Sequence, residues 1–188
     1  YNLYPNFPKH VEKVSDKIPL KIPTSEIKKR VDFRKTTTFT IDPFDAKDYD
    51  DALSVKKLKN GNWEIGVHIA DVSYYVKEND IIDVEAAERS TSVYLVDRVI
   101  PMIPEILSNE ICSLKADVDR LCYSVILEIN NKSEIISHQI KKTIIHSDKR
   151  FTYKDAQYII DNKKGLFSDE LLILYKISKK LREKRFSS

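Results

Sequence analysis

Long apolar runs are missing from this chain. No stretch approaches the roughly 20 residues that a membrane-spanning helix needs, although 41 % of the residues are hydrophobic. That share is enough for a packed core, and 188 residues normally make one domain. Cysteine is scarce too. Cys112 and Cys122 form no Cys-x-x-Cys pair, which excludes a zinc ribbon or a dithiol redox motif and predicts reduced thiols in a cytosolic protein. A large excess of one charge is also absent. Lys and Arg number 32 against 29 Asp and Glu, a net charge of +3, so the chain is mildly basic rather than a nucleic-acid coat. The opening Tyr1-Asn2-Leu3-Tyr4-Pro5 lacks a basic stretch followed by an apolar core, which predicts no signal peptide. Neither an internal repeat nor a low-complexity segment is found.

What is present is a run of acid. Asp42-Pro43-Phe44-Asp45-Ala46-Lys47-Asp48-Tyr49-Asp50-Asp51 sets five carboxylates against one lysine. It lies between two strand-like runs, Thr36–Ile41 and Ala52–Leu58, so it reads as a loop at a sheet edge. Carboxylates gathered in one place repel, and at neutral pH they must take up protons or a cation. Mg²⁺ accepts hard oxygen ligands and leaves positions open for phosphate, so the run points to metal-assisted phosphoryl chemistry. Two blander readings stand beside it, a solvated acidic turn and a calcium loop. An EF-hand is excluded, because counting from Asp42, Asp45 or Asp48 gives neither Gly at the sixth position nor Glu at the twelfth.

Local patterns predict an α+β fold with a mostly antiparallel sheet and flanking helices. Residues 1–30 carry four prolines and read as an irregular or partly helical upstream linker. Ala52–Leu58 and Trp63–Ala70 form a hairpin about Asn60-Gly61. Asp80 caps a helix through Glu88 with Ile81, Val84 and Ala87 on one face. Ser92–Val96 is extended, and Cys122–Ile129 with Glu134–Ile145 makes a second hairpin turned at Asn130-Asn131. Thr152 and Asp155 make a capping box for a helix to Ile160. Ser168 caps a last helix through Arg185, with Leu171, Leu174, Ile177, Ser178 and Leu181 on one side.

Longer stretches carry a resemblance. TIDPFDAKDYDDALSV and GVHIADVSYYV are followed by RSTSVYLVDRVIPMIPEILSNEICSL, KADVDRLCYSV, HSDKRFTYKDAQ and KLREKRF. In this order and spacing they resemble the catalytic (RNB) domain of the ribonuclease II/ribonuclease R family, hydrolytic exoribonucleases acting from the 3′ end of RNA. The likeness runs from about Val31 to the end. It implies that residues 31–188 are the N-terminal part of that domain, whose downstream half adds an arginine on phosphate. It also implies OB-fold RNA-binding domains alongside, Mg²⁺ as cofactor and single-stranded RNA as partner. Asp42, Asp48, Asp50 and Asp51 match the family's four metal-site aspartates, and Asp50 matches the one tied most closely to the chemical step. Tyr94 matches a tyrosine that stacks near the 3′-terminal base, and Tyr153 a position linked to RNA recognition. Asp45 falls outside the set and is expected to face solvent. Three departures leave the aspartates untouched: Ser90 where glycine is common, Tyr74 at a frequent histidine and Ala116 at a common proline. The rival expectation is a catalytically inert RNA-binding or regulatory module that keeps the fold.

His68 and Asp71 belong to one strand region. A lone histidine is more often structural than a metal ligand, and Asp71 is a candidate to support a ligand from behind. Arg89, Arg98 and Arg120 are expected in ion pairs before phosphate contacts. Trp63, Tyr74 and Tyr75 are expected in the core or an interface, and Lys179–Arg185 on a solvated helix face.

Overall fold

The computed structural model describes residues 4–187. The first three residues of the expected linker, and Ser188, lie outside this range.

Nine strands form. They are β1 (Val31–Asp32), β2 (Thr38–Asp42), β3 (Asp51–Lys57), β4 (Trp63–Ala70), β5 (Val93–Tyr94), β6 (Val99–Ile100), β7 (Asp119–Ile129), β8 (Ile135–His146) and β9 (Lys149–Thr152). Seven of them make one sheet in the order β1-β8-β7-β4-β3-β2-β9. Its four inner pairings are antiparallel, and both edge pairings, β1 with β8 and β2 with β9, are parallel. The sheet is therefore mostly antiparallel, as expected, with short parallel strands at its margins. Among the described residues six α-helices accompany it: α1 (Lys9–Ser15), α2 (Thr24–Ile27), α3 (Val72–Tyr75), α4 (Ile81–Arg89), α5 (Tyr153–Asn162) and α6 (Ser168–Ser187). A short π-helix spans Ile106–Ile111.

The local chemistry explains most boundaries. Gly61 adopts φ 84° in the β3–β4 turn, where Leu58 N donates to Asn62 O at 2.8 Å. Asp80 Oδ1 accepts from Ile82 N and Asp83 N, both at 2.8 Å, and starts α4. The Thr152–Asp155 capping box forms in both directions and starts α5. In the β7–β8 turn Asn130 is the hub. Its side chain accepts from Lys132 N and Glu134 N, but the left-handed residue is Ser133 at φ 60° rather than an asparagine. Ser90 ends α4 at φ 65°, a backbone region that favours glycine.

Three expectations need correction. The buried residue of α4 is Ile82, while Ile81 and Val84 face outward. The inner side of α4 also carries Arg89, which pairs with Glu85 at 2.8 Å and donates to the carbonyls of Tyr4, Asn6 and Pro101, so polar groups occupy positions an apolar count passes over. Ser178 is exposed, and Ile173 joins Leu174, Ile177 and Leu181 in the packed side of α6. Ser168 does not cap α6, since its buried hydroxyl has no hydrogen-bond partner.

Two hydrophobic clusters cover one face of the sheet through α5 and α6, joining Phe39, Phe151, Leu171, Val55, Ile65 and Ile177. A larger cluster joins Ala52, Ala70 and Cys122 of the sheet to Leu107, Ile111, Leu114 and Ile82. Val11 of α1 is wholly buried in that same cluster, and Phe7 and Ile18 pack against it. Cys112 and Cys122 are buried free thiols that burial pushes upward, Cys112 to about 12. Among the described residues no helix is long and apolar enough to cross a membrane.

Candidate active site

The acidic run is the connection from β2 to β3. Asp42 is the last residue of β2 and pairs with Thr152 of β9, and Asp51 is the first residue of β3 and pairs with Ile69. Two strand ends in one sheet thus fix the outer members. The loop between them is tied from outside. Arg150 of β9 donates through Nη2 to Pro43 O and, at 2.9 Å, to Phe44 O, and its guanidinium lies 5.6 Å from the Tyr49 ring centre. Ser113 Oγ accepts from Tyr49 N at 3.0 Å and donates to Lys47 O at 3.1 Å. Leu114 N donates to Tyr49 O at 2.8 Å, and Ala70 N to Asp50 O at 2.9 Å.

The four matched aspartates influence one another. Asp50 is exposed at the loop surface, and partial desolvation by its surroundings, followed by the charges of Asp48, Asp51 and Asp42, raises it above the usual carboxylate range. Asp42 is 8 % exposed and is also raised, first by burial and then by Asp51 and Asp48, while Thr40 and Arg150 pull the other way. Asp42 Oδ2 is a buried carboxylate oxygen with no hydrogen-bond partner. Asp45 faces solvent, as expected.

No group of three or more Asp, Glu, His or Cys side chains among the described residues is arranged as a ready metal cage. The donor chemistry nevertheless fits a hard divalent ion. The oxygens are carboxylate, one of them is buried without a partner, and their mutual repulsion falls when a cation is shared. Such an ion keeps several positions for water or phosphate, so a complete protein cage is not required.

Tyr94 stands beside this group. It is 69 % exposed, and burial, then the charges of Asp48 and Asp50, raise its hydroxyl. It belongs to a small ribbon in which Val93 pairs with Ile100 and Tyr94 with Val99, a partner strand that composition did not disclose. Tyr153 is 60 % exposed and opens α5 directly after Thr152, the residue opposite Asp42, so it shares the sheet end of the aspartates.

The other candidates take structural roles. His68 is wholly buried, with Nδ1 2.6 Å from Ser124 Oγ and Nε2 2.9 Å from Ser54 Oγ, and desolvation lowers it to about 4. A Cβ at Gly66 would run into both Ser54 Oγ and the His68 ring, so the close packing there requires glycine. Asp71 does not support the acidic loop. It pairs with Arg30 at 2.7 Å and accepts from Tyr74 N to start α3. Arg120 donates to the carbonyls of Ser113, Asp119 and Glu110, and Arg98 pairs with Asp97. Tyr75 and Trp63 pack against hydrophobic clusters, and the Tyr74 ring lies edge-on to Tyr75. Sequence reasoning missed Ser113 and Arg150, whose partners lie 64 to 107 residues away in the chain.

Comparison with known proteins bears on the family and the fold. The RNB domain family pattern matches residues 30–188. Ribonuclease R 1 of Lactococcus lactis subsp. lactis (strain IL1403) is 51 % identical over 154 residues, covering 82 % of this chain and 19 % of that protein. A solved structure of Mycoplasma genitalium RNase R in complex with ribose methylated single-stranded RNA superposes with a TM-score of 0.85 at 31 % identity, covering 96 % of this chain and 29 % of that one. Yeast Ssd1, described as a pseudonuclease, shares the fold with a TM-score of 0.79 at 20 % identity, covering 90 % of this chain and 21 % of that one. The chain thus spans about a fifth of the length of the bacterial relative. With the family pattern running over most of its length, the chain belongs to the RNB domain family, among the relatives of ribonuclease R.

Proposed function

We propose that the protein carrying this chain is a Mg²⁺-dependent exoribonuclease. It hydrolyses single-stranded RNA from the 3′ end and releases nucleoside 5′-monophosphates. The observation that carries this reading is the buried, unpartnered Oδ2 of Asp42 within a set of mutually repelling carboxylates, with the exposed Tyr94 ring alongside. Asp42, Asp48, Asp50 and Asp51 would hold the ion. When bound, it supplies a Lewis acid for the phosphoryl oxygen and lowers the pKa of a bound water. The chain's own residues do the rest. Asp42 and Asp51 are fixed by strand pairing, so two oxygen donors arrive without loop ordering. Tyr94 and Tyr153 offer exposed rings for bases, which suits unpaired RNA, where stacking is tolerant of sequence. We further propose OB-fold domains elsewhere in the full-length protein, residues 1–30 as the approach to the catalytic domain, and a cytosolic location.

The reading is tested on the full-length protein with a single-stranded RNA uniformly labelled at its phosphates. With Mg²⁺ the expected products are nucleoside 5′-monophosphates, resolved by thin-layer chromatography. Excess EDTA stops their release and added Mg²⁺ restores it. Internal cuts, 3′-phosphate ends or hydrolysis indifferent to EDTA would each sink the reading.

Tyr94 gives a second measurement. Tyr94→Ala is expected to cost about 1–3 kcal/mol of base stacking. Cleavage continues, but the limit product becomes longer or more heterogeneous on a sequencing gel. An unchanged product ladder would make Tyr94 an ordinary ribbon residue.

A further inference from the structure

Asp48 lies in the loop three residues before β3, and no strand pairing fixes it. Its two neighbours are fixed by one side chain. Ser113 Oγ accepts the Tyr49 N–H at 3.0 Å and donates to Lys47 O at 3.1 Å, so a single hydroxyl joins the peptide groups on either side of Asp48. Leu114 N adds a third bond, to Tyr49 O, at 2.8 Å. We infer that Ser113 is a positioning residue for the metal site, acting through the backbone to aim the Asp48 carboxylate. The inference rests on the proposed function.

Ser113 is suited to this because it is packed into the core and held by its own backbone hydrogen bond. It is wholly buried, between Cys112 and Leu114, which are 4 % and 0 % exposed. Leu107 and Ile111 of the preceding π-helix sit in the same hydrophobic cluster. Its own carbonyl accepts from Arg120 Nε at 2.8 Å, and Arg120 Nη2 holds Glu110 O at 2.7 Å. A rigid core segment therefore supplies the reference point for a loop that otherwise lies at the surface. Arg150 performs the matching task at the other end, on the carbonyls of Pro43 and Phe44. Supporting groups of this kind are worth about 10- to 100-fold in metal affinity, because a carboxylate free to swing must be ordered when the ion arrives.

Mn²⁺ binding by electron paramagnetic resonance provides a readout independent of turnover. It is measured on the full-length protein, with Asp48→Asn as the reference for a lost ligand. Ser113→Ala is expected to weaken Mn²⁺ binding by about tenfold. Ser113→Cys keeps the size and offers a poorer hydrogen-bonding group, and falls between Ala and wild type. Ser124→Ala removes another buried hydroxyl, the one on His68, and leaves Mn²⁺ affinity unchanged. In the same series the Mg²⁺ midpoint for hydrolysis rises for Ser113→Ala while the RNA KM holds. Wild-type Mn²⁺ affinity in both Ser113 variants would overturn the inference, and so would an equal shift in Ser124→Ala. If Asp48→Asn itself binds Mn²⁺ normally, it is the proposed function that fails.

Discussion

Asp50→Asn in the full-length protein is expected to reduce RNA hydrolysis by about a thousandfold or more while RNA still binds. The substitution removes one charge and almost no volume. The fold around it does not depend on the carboxylate, because the position is held through its backbone carbonyl, which accepts from Ala70 N at 2.9 Å, and through the pairing of Asp51 with Ile69. What is lost is an oxygen donor in a place where partial desolvation and three neighbouring carboxylates already disfavour the charged form. A metal's Lewis-acid contribution is worth several kcal/mol in the transition state, and about 4 kcal/mol corresponds to about a thousandfold in rate. Affinity comes mainly from phosphate and stacking contacts, and one negative charge fewer near the RNA backbone favours it. Single-turnover cleavage of a labelled oligonucleotide and fluorescence anisotropy measure the two quantities separately. Near-normal turnover in the variant would remove Asp50 from the chemistry.

The same experiment divides the enzyme from the inert module that shares its fold. Ssd1 shows that this architecture occurs in a protein described as a pseudonuclease. An inert protein would bind RNA with and without Asp50 and hydrolyse it in neither case. The grouped aspartates favour an enzyme. A carboxylate set with a buried unpartnered oxygen costs stability, and a binding module gains nothing from that cost.

Much of the sheet was legible because its signals are local. Asn60-Gly61 supplies a positive φ, Asp80 supplies a cap, and Thr152 with Asp155 satisfies backbone donors in both directions. Each of these needs only its own four or five residues. The parallel edge strands β1 and β9 were not legible. Val31–Asp32 and Lys149–Thr152 are too short to show a period, and their pairing with β8 and β2 is set by distant chain. The aspartates were visible as residues, but their arrangement was not. It depends on Ser113 and Arg150, which look unremarkable in sequence and become informative only when the sheet brings them to the loop. The α4 face was misread for a related reason, since a helix side that buries Arg89 against backbone carbonyls carries no apolar stripe.

Asp71→Ala is expected to destabilise the chain by about 3–5 kcal/mol, the usual cost of breaking a buried ion pair from one side. Arg30 and Asp71 meet at 2.7 Å with both side chains 0 % exposed. Arg30 also pairs with Glu26 at 2.7 Å and donates to the carbonyls of Cys122 and Thr143. Burial pulls the guanidinium down, but Asp71 and Glu26 more than offset it and hold it above its ordinary value. A guanidinium keeps its proton in proteins, so Arg30 stays charged when Asp71 is removed, and Glu26 alone must balance it. The variant also loses the Asp71 cap on Tyr74 N at the start of α3, worth about 1 kcal/mol more. Against a total stability of about 5–15 kcal/mol for an ordinary domain, this is enough to leave much of the chain unfolded at 37 °C. The pair joins α2's flank to the β4–α3 junction, so the damage reaches the segment that holds Ala70 on Asp50. Urea denaturation measures the loss, with Asp45→Ala as an exposed control expected to change stability by under about 0.5 kcal/mol. The double variant Arg30→Met/Asp71→Leu removes both wholly buried charges and is expected to be more stable than Asp71→Ala, because the charge it leaves without a partner, Glu26, still reaches solvent. A cost below about 1 kcal/mol for Asp71→Ala, or a double variant no better than the single, would mean that solvent reaches Arg30 and that the pair does not hold the two ends of the fold together.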